Sequence, residues 1–196
     1  MPTVEVGDID MYYEIHGEGE PLVLIPGLRS DVSEYKRVIA GLSSKYKVIA
    51  IDNRGAGRTD KPDMPYSIEM MADDAAGLLN ALGVEQAHIL GVSMGGRIAA
   101  ALALRHPEHV KSLILASTIL KPQTQRSWSS RLLVDIVPRI PLLRIVEKYP
   151  QPHYAFVRQH EASRNFDCMD RLHEIRVPTL ILHGKKDGRA PYRLAE

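Results

Sequence analysis

The sequence predicts an α/β domain, a mostly parallel sheet with helices on both faces, entered through an antiparallel hairpin. Three observations predict it. Short apolar runs at 22–25, 48–51, 88–92, 113–116 and 180–182 lack polar alternation, as expected of strands covered on both faces. Helically spaced stretches lie between these runs, so successive strands are joined by crossovers and run parallel. Ahead of them, residues 3–6 and 9–16 do alternate, and they meet at Gly7-Asp8, a tight-turn dipeptide that marks a hairpin.

The helix signals follow in chain order. Ser67 is a good N-cap, and Ile68, Met71, Ala75, Leu78, Leu79 and Leu82 recur at three- and four-residue spacing until Gly83 stops the run. A second helix starts after Ser93 and ends before Pro107, which cannot continue it. Residues 119–170 break the alternation with Trp128, apolar sets at 132–137 and 142–146, Pro138, Pro141 and Pro150-Gln151-Pro152. The stretch reads as short helices with proline corners inserted between two strands. A plain crossover needs only about a dozen residues, which favours a lid over the strand ends against ordinary connecting helices. The expected organisation is a core over 1–118, a helical lid over 119–170, and a return to the core over 171–196. Sheets of this kind hold ligands at the carboxyl ends of their strands.

Composition narrows the function classes. The chain has 196 residues, which is one domain's length, and a core of that size buries about 70% of its unfolded surface without disulfide or metal. Its single cysteine, Cys168, agrees with that. Lys plus Arg number 25 against 24 Asp plus Glu, interleaved along the chain, so the basic field of a nucleic-acid binder is absent. The first residues lack a basic start and a continuous apolar stretch, and no apolar run approaches the roughly 18 residues of a membrane span. A soluble, cytoplasmic protein is expected, with neither nucleic acid nor membrane as partner.

Gly91-Val92-Ser93-Met94-Gly95-Gly96 follows an apolar strand and opens a helix, the context that turns a Gly-x-Ser-x-Gly string into a nucleophile hypothesis. A serine at so sharp a turn is strained, and Gly91 and Gly95 allow neighbouring backbone to pass close by. The helix start aims free N–H groups and the positive dipole end at the serine, with the Met94 amide the nearest candidate oxyanion donor. The bland alternative is a glycine-rich turn carrying an incidental serine.

At these residues the sequence resembles the α/β-hydrolase family, specifically its esterase, lactonase and haloperoxidase-like members. Leu22-Val23-Leu24-Ile25-Pro26-Gly27-Leu28 is similar to the family's oxyanion loop, with Pro26-Gly27 in place of the usual His-Gly pair. By that match the Leu28 amide is the second oxyanion donor. Residues 51–60 resemble the family's Asp-x-Arg-Gly-x-Gly turn. They lack the spacing of either common phosphate-binding loop and read as a structural turn beside the pocket. Residues 177–187 resemble the strand that ends in the family's catalytic acid, and the matching residue is Asp187. Without the resemblance, Asp187 would be an ordinary turn residue.

The resemblance implies a serine-dependent hydrolase of carboxylic esters or lactones working through an acyl-enzyme, with no cofactor and no metal. Ser93 attacks, Leu28 and Met94 hold the oxyanion, and Asp187 orients a histidine. None of the residues after Asp187 is a histidine. His183 reads as structural, His106 and His109 as surface residues near a helix end, His153, His160 and His173 as solvated positions in or after the insertion, and His16 and His88 as early strand residues. The catalytic histidine therefore stays unknown. The expectation is a C-terminally truncated hydrolase, nearly inactive alone, or one completed by a second copy or a separate chain supplying the last strand, histidine and helix. Carbon–carbon hydrolases and perhydrolases share the elbow, and a hydrolase-fold binding protein that keeps Ser93 without catalysis is the competing class. Trp128, Leu132, Leu133, Ile136, Ile140, Leu142 and Leu143 suit an apolar acyl or leaving group, and core packing accounts for them equally well.

Overall fold

A computed structural model describes residues 2–121 and 148–187. Strands β1 (Thr3–Val6), β2 (Ile9–His16) and β3 (Glu20–Ile25) lead through a short 3-10 turn into helix α1 (Lys36–Leu42) and strand β4 (Tyr46–Ile51). Helix α2 (Ile68–Ala81), strand β5 (Ala87–Val92), helix α3 (Met94–Arg105) and strand β6 (Val110–Ala116) follow. Beyond the undescribed stretch come helix α4 (His153–Asn165) and strand β7 (Thr179–Leu182).

The strands form one sheet in the order β1-β2-β4-β3-β5-β6-β7. β1 and β2 make the expected hairpin, with Val6 opposite Ile9, and β2 pairs antiparallel with β4. Every pairing from β4 to β7 is parallel. The chain leaves β3 toward β4 on one side and returns across it to β5 on the other. The carboxyl ends of β3 and β5 therefore flank a topological switch point, with Ile25 opposite Gly91.

Apolar residues on consecutive positions are explained by two cores. Val23, Ile25, Ile49 and Ile51 face the cluster built with α2 and α3, whereas Leu22, Leu24, Val48 and Ala50 face the one built with α1. Ala99, Ala100, Ala101 and Ala103 let α3 lie close against the strands. Leu180, Ile181 and Leu182 follow the same consecutive pattern, yet each leaves about half its surface exposed, between 49% and 53%. Among the described residues β7 pairs with β6 alone.

Helix α2 begins as its cap implies, with the Ser67 hydroxyl accepting the Met70 N–H at 3.0 Å. The structure adds α1, whose seven residues bury only Ile39 and are too short to show a period. It also lengthens β3, β4 and β6 toward their amino ends. Glu20, Tyr46 and Lys111 precede the apolar runs and extend the strands beyond them. One histidine assignment is corrected. His109 is buried rather than superficial, because its Nδ1 bonds the Glu85 carbonyl at 2.9 Å across the loop ahead of β5.

Two stability outcomes follow from these contacts. Ser67→Ala removes a cap hydrogen bond and should cost about 1 kcal/mol in urea denaturation. Glu20 accepts hydrogen bonds from His88 Nε2 at 2.9 Å and Lys111 Nζ at 2.7 Å, which hold its carboxyl down at about 2. Its folded pKa lies below its ordinary 4.5, so its stabilisation is complete above 4.5 and is lost as pH falls toward 2. Glu20→Gln should flatten that part of the Tm–pH curve, and high salt should shrink the difference because the group is exposed.

Candidate active site

Ser93 occupies the single residue between β5 and α3, with φ 55° and ψ −114°. A non-glycine residue persists in that region only where its surroundings hold it. The Ser93 N–H donates to the Ala116 carbonyl at 2.8 Å, and the Ser93 carbonyl accepts from Gly96 N at 3.0 Å and Thr118 Oγ1 at 2.7 Å. With its backbone fastened, the side chain faces solvent. The two elbow glycines are required by contact rather than by dihedral. A Cβ on Gly91 would collide with the Gly95 carbonyl, and one on Gly95 with the carbonyls of Ile25 and Pro26. Met94 is the first residue of a 12-residue helix, so its N–H has no acceptor within that helix.

The loop after β3 lies against this elbow. A Cβ on Gly27 would sit 3.4 Å from Ser93 Cβ. Asn53 Nδ2 donates to the Pro26 carbonyl at 2.9 Å, Gly27 N to Tyr35 Oη at 3.2 Å, and Arg29 N to Gln159 Oε1 at 3.3 Å. Ser30 N closes a turn onto the Gly27 carbonyl at 3.2 Å. Among the described residues no hydrogen bond engages the Leu28 N–H. Leu28 and Met94 thus come to the same switch point as Ser93, and among the described residues neither amide has a hydrogen-bond partner.

The turn after β4 anchors this loop. Asp52 is fully buried and accepts from Val32 N at 2.7 Å, Arg58 N at 2.9 Å and Arg58 Nε at 3.2 Å. Burial pushes its carboxyl up from the usual range, and these donors oppose that rise. Arg54 bridges Asp74 and Asp8 through bonds of 2.7–3.1 Å, and the Arg58 guanidinium stacks on Tyr12 at 3.4 Å. Both arginines of the segment face groups of the protein itself.

Asp187 follows the strand end at the same edge of the sheet. Val92, Ala116 and Leu182 are aligned across β5, β6 and β7, and Ser117 N donates to the Leu182 carbonyl at 2.9 Å. Ser93 and the end of β7 are therefore about two strand spacings, roughly 10 Å, apart. Asp187 N bonds the Gly184 carbonyl at 3.0 Å, and its carboxylate lies 3.9 Å from His183 Nε2, beyond hydrogen-bond length. No histidine is bonded to the Ser93 hydroxyl among the described residues. His16 faces Glu14, His88 faces Glu20 and Ser112, and His106 faces Asp73. No group of three or more metal-ligating side chains is present among the described residues, nor any helix long and apolar enough to cross a membrane.

Sequence reasoning missed two glutamines. α4 lies across the loops after β3 and β4, held by Gln159 Nε2 to the Arg54 carbonyl at 2.7 Å and by Tyr154 Oη to the Lys61 carbonyl at 2.7 Å. Gln151 Nε2 donates to the Gly55 carbonyl at 2.7 Å and to Gln159 Oε1 at 2.9 Å. The available signal was the buried stripe Ala155, Phe156, Gln159, Ala162, where a polar residue holds a core position. Of the 119–170 insertion, residues 122–147, including Trp128 and the apolar sets, lie outside the described residues, as do 188–196.

Comparison with known proteins agrees with this geometry. A family model for the alpha/beta hydrolase fold matches residues 20–134. Over its whole length the chain is 34% identical to a protein of Azorhizobium caulinodans provisionally named carbamate hydrolase RutD, of which it covers 84%. It is 32% identical to 3-oxoadipate enol-lactonase 2 of Acinetobacter baylyi, over 94% of this chain and 79% of that one. The solved enol-lactonase from Burkholderia xenovorans LB400 superposes with a TM-score of 0.83 at 26% identity, over 99% of this chain and 85% of that one. With the strand order, the strained serine and the loop packed against it already placed, these likenesses establish that the chain belongs to the alpha/beta hydrolase fold family.

Proposed function

We propose that the chain is a serine-dependent hydrolase of carboxylic esters or lactones that works through an acyl-enzyme. The observation that carries this reading is Ser93, exposed and strained at the helix start, with the amides of Leu28 and Met94, unpartnered among the described residues, at the same switch point. The relatives named for lactone and carbamate hydrolysis support it, since each name describes attack on a carbonyl that bears a heteroatom leaving group.

In this reading the Ser93 oxygen attacks the carbonyl carbon while its proton passes to a base. Charge develops on the carbonyl oxygen, where fixed N–H donors act at their strongest because they need no reorganisation. The bond to the leaving oxygen breaks, that oxygen takes up the proton, and water then cleaves the acyl–serine ester by the same route. Asp187 has the role of orienting the base, which is assigned to none of the eight histidines. No step calls for a cofactor. α4 forms part of a lid, a role supported by its contacts with the loops after β3 and β4.

The test pairs p-nitrophenyl butyrate and δ-valerolactone turnover with fluorophosphonate labelling and peptide mapping, with and without added imidazole. Expected are slow turnover that imidazole accelerates, an adduct at Ser93, and, in Ser93→Ala, loss of the adduct and of the imidazole-stimulated part of the turnover. Absence of labelling and turnover under both conditions would leave a binding protein built on a hydrolase fold.

A further inference from the structure

Ser93 stands at φ 55° and ψ −114°. At a positive φ the well open to an L-residue has ψ at about +30 to +60°, so Ser93 is held away from it chiefly in ψ. That torsion turns the peptide joining Ser93 to Met94. The plane carries the Ser93 carbonyl and the Met94 N–H, which point in opposite directions. A group that fixes the carbonyl therefore aims the N–H.

We propose that Thr118 is a positioning residue for oxyanion stabilisation: its hydroxyl grips the Ser93 carbonyl and so holds the Met94 N–H in the direction of the substrate oxygen. This rests on the reading of Met94 as an oxyanion donor. Two donors meet the Ser93 carbonyl, Gly96 N at 3.0 Å and Thr118 Oγ1 at 2.7 Å. The Gly96 bond closes within the elbow itself. Among the described residues, the Thr118 bond is the one that fastens this peptide plane to another element. A hydroxyl has one proton to give, and the Ala116 carbonyl, 3.3 Å from Oγ1, is the more distant acceptor.

The end of β6 is shaped for this grip. The Ala116 carbonyl accepts the Ser93 N–H at 2.8 Å, so Ala116 and Thr118 hold the peptides on both sides of Ser93. Between them Ser117 has φ 49°, and its N–H is tied to the Leu182 carbonyl at 2.9 Å. Thr118 is 7% exposed, and its β-branched side chain has few rotamers to explore. A Cβ on Gly96 would collide with Thr118 Oγ1. The two glycines after Met94 thus admit two different neighbours: Gly95 the carbonyls at the end of β3, and Gly96 the threonine hydroxyl.

Four variants separate positioning from packing. Thr118→Ala removes the hydroxyl without setting a methyl against the Ser93 carbonyl, and Thr118→Val removes it while keeping the space filled. Thr118→Ser keeps the hydroxyl and drops only the methyl. Ser67→Ala, a cap change on α2, gives the rate expected from lost stability alone. With imidazole present, Thr118→Ala and Thr118→Val should each lower kcat and the Ser93 phosphonylation rate by roughly 10- to 100-fold, less than loss of a whole oxyanion donor, with KM within about twofold. Thr118→Ser should stay within about threefold of wild type, and Ser67→Ala within about twofold. A rate loss confined to Thr118→Val, or equal losses in Thr118→Ala and Thr118→Ser, would overturn the proposal. The Met94 amide resonance keeps the two readings apart. It should move in Thr118→Ala and Thr118→Val and hold its place in Thr118→Ser, and an unmoved resonance in all three would overturn the proposal at any rate of turnover. If the resonance moves but wild type is not phosphonylated at Ser93, the acyl-transfer reading falls and takes the oxyanion role of Thr118 with it, leaving a structural hold on the elbow.

Discussion

The site depends on one close approach. At Gly95 the first turn of α3 passes the carbonyls of Ile25 and Pro26 so closely that no side chain fits between them. That contact sets how far β5 and its helix stand from the end of β3, and so how near the loop carrying Leu28 comes to Ser93. The parallel pairing of β3 with β5 aligns the two strand ends, and the switch in strand order keeps the space beyond them open. Without the hydrogen at Gly95 the serine would still sit on a turn, but the loop could not lie against it.

Electrostatics extends the arrangement outward. The Asp52 carboxylate is desolvated, which is unfavourable for its charge, and three donors from the two neighbouring loops offset the loss. The loops after β3 and β4 are thereby locked to each other through a single buried group. Arg54 performs the same service one turn further on, tying the segment to α2 and to the hairpin. The glycine- and arginine-rich composition that invites a phosphate-binding reading is explained by internal carboxylates.

What could be read from the sequence was what local chemistry determines. The strands of the two-sided core show themselves because every position of 22–25 and 48–51 must be apolar, and α2 shows itself because its cap, period and terminal glycine agree. Ser93 was legible because a strand, two glycines and a helix must coincide for such a turn to exist. What escaped depends on distant partners. α1 is too short for periodicity, the amino ends of β3 and β4 are polar, and the burial of His109 is decided by a carbonyl on another loop. The glutamines on and before α4 acquire their meaning only from loops nearly a hundred residues or more away.

The bond from Arg29 to Gln159 also has a temporal side. Every strand pairing from β1 to β6, and helices α2 and α3, lie within the first 116 residues. Every contact within that stretch closes a shorter loop than the 130 residues spanned by the Arg29–Gln159 bond. The tie between the loop after β3 and α4 therefore carries the larger loop-closure entropy. As the chain emerges, the strained serine turn has all of its described backbone partners before α4 is present to bond the loop after β3. The tie between Arg29 and Gln159 can close only once α4 has been added to the chain.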